Sequence, residues 1–292
     1  MKEKKKREML FKIAFTSPAL IVYTLFMMVP VLFSTYYSLN KWNGVGPMKF
    51  VGLQNFRNLF HSSDFIKVNI NTLTLVFFSL VITVPVAAIL AYLIYRTKSG
   101  FKFFRFVVFI PVIVSAIIIG LIFSILFNAD FGPLNQFLEA IHLPTRAWLS
   151  DPDTVLYAVI VPQLWQNIGY YTIIFLAGIQ SVPHEVIESA IIDGANSLQL
   201  FSRIVLPLIT EISQIVIILV VTGALKSFGF SWSMTTGGPG VQSTYLAVYM
   251  YINAFIESNF GKSSAVSLII LIYALVFTFL FKRFYSKFVN ND

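Results

Sequence analysis

The chain has 292 residues, 57% of them hydrophobic and only 12% charged, with a mean hydropathy of +0.78. A soluble domain carries about 25% charged residues, so this composition excludes a water-soluble enzyme built round one core, and it excludes disorder. Cys is absent, which excludes disulfides, thiolate metal sites and Cys nucleophiles, and no two of the three His (His61, His142, His184) stand at metal-ligand spacing. What remains is an all-α polytopic membrane protein. Its net charge of +8 reads as Lys and Arg held at a membrane surface, not as affinity for nucleic acid.

A helix needs about 20 mostly apolar residues to cross a bilayer. The chain opens on a basic segment, 1–12, which leads into a first expected span at 13–39. MKEKKKR before an apolar run resembles a signal peptide, but the run is too long and no small-residue cleavage site follows, so it is expected to stay as a span. Further spans are expected at 68–95, 106–127, 154–179, 212–229 and 264–281, giving six within a membrane domain of 13–283 and a C-terminal tail of 284–292. Pro30, Pro85, Pro111, Pro162 and Gly223 fall inside them, which spanning helices tolerate when neighbours satisfy the freed backbone groups.

Orientation follows from Lys and Arg. The N-terminus carries Lys2, Lys4, Lys5, Lys6, Arg7 and Lys12; the second-to-third loop carries Arg96, Lys98, Lys102 and Arg105. Arg203 lies in the fourth-to-fifth loop, and Lys282, Arg283 and Lys287 lie at the C-terminus. The opposite loops hold only Lys41, Lys49, Arg57, Lys67, Arg146 and Lys262, so both termini are expected in the cytoplasm. The first outside loop alone is basic for its side.

No Asp or Glu lies inside the six expected spans. That counts against a proton- or sodium-coupled transporter, although some sodium sites use backbone carbonyls. No filter sequence or ring of charge marks a channel. Gly261-Lys262-Ser263 looks like the end of a phosphate-binding loop, yet Ile256 stands where the loop needs its first Gly. No nucleotide, metal or other cofactor is expected on this chain, and the energy for a pump must come from elsewhere.

The most informative stretch is the cytoplasmic loop 181–207, SVPHEVIESAIIDGANSLQLFSRIVLP. It reads as two short helices with a break. Pro183 suits a first helical turn and Glu185 favours the positive helix start. Ala190 and Gly194 are four apart and share one helical face, leaving a notch for a close partner. Gly194 then permits a turn, Asn196 caps the next helix, and Pro207 marks entry to the fifth span. On local physics alone, an amphipathic interfacial helix that only connects two spans is the favoured reading.

Glu188-Ser189-Ala190, Gly194, Ile204 and Leu206-Pro207 stand at the spacing of the EAA loop of ABC-importer permeases, with only Ser189 departing from its pattern, small for small. Phe50 to Phe56 (FVGLQNF), Asn71-Thr72, Phe131-Gly132-Pro133-Leu134-Asn135, Asp193-Gly194-Ala195 and Thr236-Gly237-Gly238-Pro239 extend the likeness along nearly the whole chain, as does Thr244 to Ala265. The chain thus resembles the binding-protein-dependent carbohydrate importers, and within them the sugar-lining permease of maltose-type and multiple-sugar transporters. That resemblance implies a six-span type I importer fold in a bacterial, Gram-positive-like cell membrane, without a large outside domain. It implies a second permease, two ATPase subunits that hold the ATP and Mg, and an extracellular solute-binding protein. It makes 181–207 the coupling loop, with Glu185, Glu188, Ala190, Asp193, Gly194, Leu206 and Pro207 as its contact residues.

Sugars are recognised by aromatic faces over their C–H surfaces and by amides and hydroxyls on their own hydroxyls. The fourth span carries Gln163, Trp165, Gln166, Asn167, Tyr170 and Tyr171, and Gln163, Gln166, Asn167 and Tyr170 share one helical face. Such a stripe avoids lipid, so it either lines a substrate path or bonds helix to helix. Lys226, with Ser227, is either a second path residue, suited to an anionic glycan, or a side chain snorkelling to the outer surface. Trp42, Trp148 and Trp232 read as interfacial anchors.

Overall fold

The computed structural model describes residues 2–97 and 99–289; Lys98 and residues 290–292 of the expected tail lie outside them. In chain order, α1 (Lys2–Tyr23) passes through a π-helical turn (Thr24–Met28) into α2 (Val29–Ser38), and a small hairpin of β1 (Asn40–Lys41) and β2 (Lys49–Phe50) leads to α3 (Gln54–Phe60). Then α4 (Ser63–Phe78) passes through a second π turn (Ser79–Thr83) into α5 (Val84–Arg96), followed by α6 (Phe101–Ile113), α7 (Ala116–Leu126) and α8 (Pro133–Ala140). After α9 (Val155–Gln180) come α10 (His184–Ile192), α11 (Ser197–Gln199), a third π turn (Leu200–Val205) and α12 (Leu206–Leu208). The chain ends through α13 (Thr210–Leu225), α14 (Gly229–Thr235), α15 (Leu246–Tyr251), a fourth π turn (Ile252–Ile256) and α16 (Phe260–Val289).

The first three π turns share a cause. Each is followed two residues later by a proline: Pro30, Pro85 and Pro207. A proline ring clashes with the carbonyl four residues back, and that carbonyl sits inside each widened turn, so the extra residue makes room without breaking the helix.

Among the described residues, Phe11–Ser38, Ser63–Arg96, Thr210–Thr235 and Phe260–Tyr285 are long and apolar enough to cross a membrane. The expected single span at 106–127 is two helices, α6 and α7, meeting at 92° with Val114 and Ser115 at the corner. Counted as one broken span, it makes a fifth. α9, expected as the fourth span, has the length, 26 residues or about 39 Å at 1.5 Å each, but its amides hold its apolarity below that of the others. The expected span 212–229 falls within Thr210–Thr235, in which α13 stops at Leu225, Lys226 caps it and α14 resumes at Gly229.

The described chain divides into two compact units. The first comprises the chain up to Ser62 with Met250–Ile272. Asn55 organises it, donating from Nδ2 to the carbonyls of Ser38 (2.8 Å) and Asn40 (2.9 Å). Gly261 fits beside them because any Cβ there would overlap the Asn40 carbonyl. Phe15 and Phe26 on the first helical segment are 79% and 76% exposed, apolar surface that the described residues leave uncovered.

The second unit comprises Ser63–Tyr249 and the chain from Tyr273 onward. α9 is its centre and packs most extensively on α5, where Ala87, Ala88 and Ala91 let the backbones approach closely. Gly169 does the same against α6, lying on the Val108 carbonyl. The Asn71-Thr72 pair on α4 fastens the 236–246 loop: Asn71 Nδ2 donates to the carbonyls of Val241, Gln242 and Thr244 at 2.9 to 3.1 Å. Thr72 Oγ1 accepts the Leu246 N–H at 3.0 Å. Asn71 is wholly buried, so Asn71→Leu strands acceptors away from water, at about 1–3 kcal/mol for each one left unsatisfied. Thermal unfolding of the purified variant in detergent is expected at a clearly lower temperature than wild type; an unchanged midpoint overturns this role.

Candidate coupling surface and solute-path residues

α10 turns Ile187 and Ala190 inward onto the cluster formed by Val182, Leu200, Val205 and Ile179. Its other face is exposed and carries Glu185, Glu188 and Asp193 among apolar Val186, Ile191 and Ile192, the last 85% exposed. Glu188 pairs with His184 at 3.5 Å, but both side chains are well exposed and the pair contributes little. Pro183 is the residue before the first turn, with extended backbone, one position earlier than expected.

The expected notch between Ala190 and Gly194 does not form. The helix stops at Ile192, and Gly194 lies beyond it at φ +84°. The Gly194 N–H bonds the Ile191 carbonyl and the Ala195 N–H bonds the Ala190 carbonyl, both at 3.0 Å, which is a Schellman ending. Ala190 therefore serves the core, and Gly194 supplies a left-handed turn into open space. Asn196 caps the next helix as expected, in a reciprocal box with Gln199 at 2.9 Å each way. Leu206 is half-buried against the same cluster, while Pro207 is exposed.

Two residues of α5 hold this surface and were not legible from the loop. Tyr92 Oη donates to the Ser197 carbonyl at 3.0 Å and its ring tilts on Phe201 at 4.8 Å. Arg96 donates to Ser197 Oγ and stands over the Tyr92 ring. The only sequence sign was an Arg four residues after a Tyr at a helix end, a pattern too common to assign a partner 101 residues away.

The polar residues of α9 separate into two sets. Gln163 is buried and its Oε1 accepts the Ser227 hydroxyl at 2.8 Å, so Ser227 ties the end of α13 to α9. Gln166 Nε2 donates to the carbonyls of Pro111 (3.0 Å) and Val114 (2.8 Å), the acceptors freed at the α6–α7 corner. Trp165 and Tyr170 are 48% and 43% exposed and Asn167 is half-buried; on the helix wheel Asn167 lies near Tyr170, and Trp165 lies on the far side. Lys226 is exposed at the α13 end and forms no ion pair among the described residues. Trp148, read as an anchor, is held inside its loop by Asn135 Oδ1 at 2.8 Å.

Residues 83–290 match the family described as binding-protein-dependent transport system inner membrane component, and the chain belongs to that family. It is 35% identical to the probable ABC transporter permease protein YurN of Bacillus subtilis (strain 168), over 93% of this chain and 94% of that protein. It is 31% identical to the multiple sugar-binding transport system permease protein MsmF of Streptococcus mutans serotype c, over 87% of each. A chain in the crystal structure of a bacterial ABC transporter involved in the import of the acidic polysaccharide alginate has the same fold, with a TM-score of 0.82 and 24% identity over 98% of both chains. The protein is therefore a membrane-embedded permease of a binding-protein-dependent ABC transport system.

Proposed function

We propose that this permease carries a saccharide, as one of two different permeases in an importer driven by two ATPase subunits that hold the ATP and Mg. The uncommitted residues of α9, Trp165, Asn167 and Tyr170, carry this reading: an exposed indole, an exposed phenol and a half-buried amide on a membrane helix demand a wet path or a protein neighbour, and they are the groups that grip sugars. The second permease covers the Asn167 and Tyr170 side and completes the path. Six spans with both termini cytoplasmic place α10 at the ATPase, whose closure on the acidic and apolar face of Glu185, Glu188 and Asp193 tilts the helices from inward-open to outward-open. An extracellular binding protein delivers the solute from the opposite side. Lys226, exposed and unpaired near the Ser227–Gln163 bond, favours an acidic saccharide within this class.

The test is ATP hydrolysis by the purified complex, reconstituted with its binding protein and screened against neutral and acidic glycans. Stimulation by one saccharide, reduced by Lys226→Gln if that saccharide is acidic, is the expected result. Hydrolysis indifferent to every saccharide overturns the substrate class, and absence of a co-purifying ATPase overturns the coupling role.

A further inference from the structure

Within the first unit, the β1–β2 hairpin and the turn before α16 enclose a cavity of about 500 Å³ lined by Lys41, Trp42, Asn43, Lys49, Glu257 and Asn259 among others. Lys41 and Lys49 stand directly opposite each other in the hairpin register. Like charges so placed repel, yet neither ammonium has an ion pair among the described residues. Glu257, the carboxylate of the lining, is turned to Lys262 at 3.9 Å.

Two further side-chain acceptors are engaged as well. Asn43 Oδ1 accepts the Val45 N–H and Asn259 Oδ1 accepts the Lys262 N–H. The Trp42 indole donates to the Gly46 carbonyl, and its ring is flanked by Tyr37 at 4.8 Å and Phe260 at 5.6 Å. What stays open is two exposed ammonium groups and the Ser258 hydroxyl, itself able to donate. A saccharide needs acceptors and a bare ring face as well as donors, whereas an anion needs donors alone. The cavity also follows directly on Ser38, where the first membrane-length segment ends, and precedes Phe260, where the last begins. Tyr36, Tyr37, Trp42, Phe255 and Phe260 form a contiguous aromatic cluster at this level, as side chains do at a membrane boundary.

We infer that this cavity holds the phosphodiester headgroup of an anionic phospholipid, with Lys41 and Lys49 on the phosphate oxygens and the aromatic cluster beside the glycerol and upper acyl chains. The lipid supplies the negative charge that the opposed lysines lack. Under the proposed topology it belongs to the extracellular leaflet; its binding depends on neither that topology nor the solute carried.

Native mass spectrometry of the full-length protein, delipidated and re-exposed to phosphatidylglycerol or phosphatidylcholine, tests this. Wild type is expected to retain phosphatidylglycerol over phosphatidylcholine. The Lys41→Gln, Lys49→Gln double variant is expected to lose about thirtyfold in that preference, at about fivefold for each basic side chain facing an anionic surface. Lys41→Arg with Lys49→Arg keeps it, and so does Lys282→Gln near the other end of α16. Equal retention of both lipids by wild type, or no loss in the double Gln variant while it remains folded, overturns the inference. Binding of soluble glycerol 3-phosphate as tightly as phosphatidylglycerol also overturns it, since the acyl chains would then contribute nothing and the site would be one for a free phosphate.

Discussion

Gly194→Leu is expected to leave the chain folded and inserted while binding-protein-stimulated ATP hydrolysis by the assembled transporter falls about tenfold or more, the factor that ~1.4 kcal/mol of lost coupling gives. The reason is backbone conformation. Gly194 sits at φ +84°, with no atom within 4 Å of where a Cβ would stand, so leucine meets no obstacle in this chain. It meets the left-handed penalty instead, about 1–2 kcal/mol, and relieves it by unwinding the Schellman ending that sets the exit from α10. The Glu185, Glu188 and Asp193 face then loses its fixed angle to α11. Gly194→Asn separates this account from one of simple crowding, because Asn tolerates the left-handed region although it is nearly as large as Leu. Hydrolysis within about twofold of wild type in Gly194→Asn, with loss in Gly194→Leu, is the expected pair. Equal loss in both points to close contact with the ATPase at Gly194, and no loss in either removes this loop from coupling.

The same loop shows how far the sequence could be read. Its break at Gly194, the cap at Asn196 and the helix after Glu185 follow from local chemistry, because a cap or a left-handed turn is decided within four or five residues. The face of Ala190 was misread for a related reason: a spacing of four defines a shared face only if the helix continues through it, and the glycine that stops the helix is the second member of the pair. The third span departs differently: it is one span only if its two helices count as one broken crossing. Nothing in an apolar run from 106 to 127 announces a 92° corner, because the group that stabilises it, the Gln166 amide, comes 52 residues after Val114. Several residues that carry the family likeness prove to be of this long-range kind. Asn71 holds carbonyls 170 to 173 residues away and Asn55 carbonyls 15 and 17 residues back, while Asn135 closes its own loop, so the pattern was visible in the sequence while its physical reason was not.

The polar residues of α9 should divide by experiment as they divide in space. Gln166→Ala leaves the Pro111 and Val114 carbonyls without their donor at the corner of α6 and α7, about 1–3 kcal/mol for each one kept from water. A drop in thermal stability and yield is expected first, with uptake lost in proportion to the protein lost. Trp165→Ala and Asn167→Ala remove groups that brace nothing comparable: Trp165 tilts on Phe123 at 5.8 Å but stays 48% exposed. These two variants are expected to fold and assemble normally and to lose about tenfold in saccharide uptake at constant protein level, the factor that one lost hydrogen bond or ring contact of ~1.4 kcal/mol produces. Measuring uptake and melting temperature on the same preparations separates the outcomes. Unchanged uptake in Trp165→Ala and Asn167→Ala assigns these two side chains to packing and not to the solute path. Normal stability in Gln166→Ala shows instead that water reaches the corner, and returns Gln166 to the set of groups available to a solute.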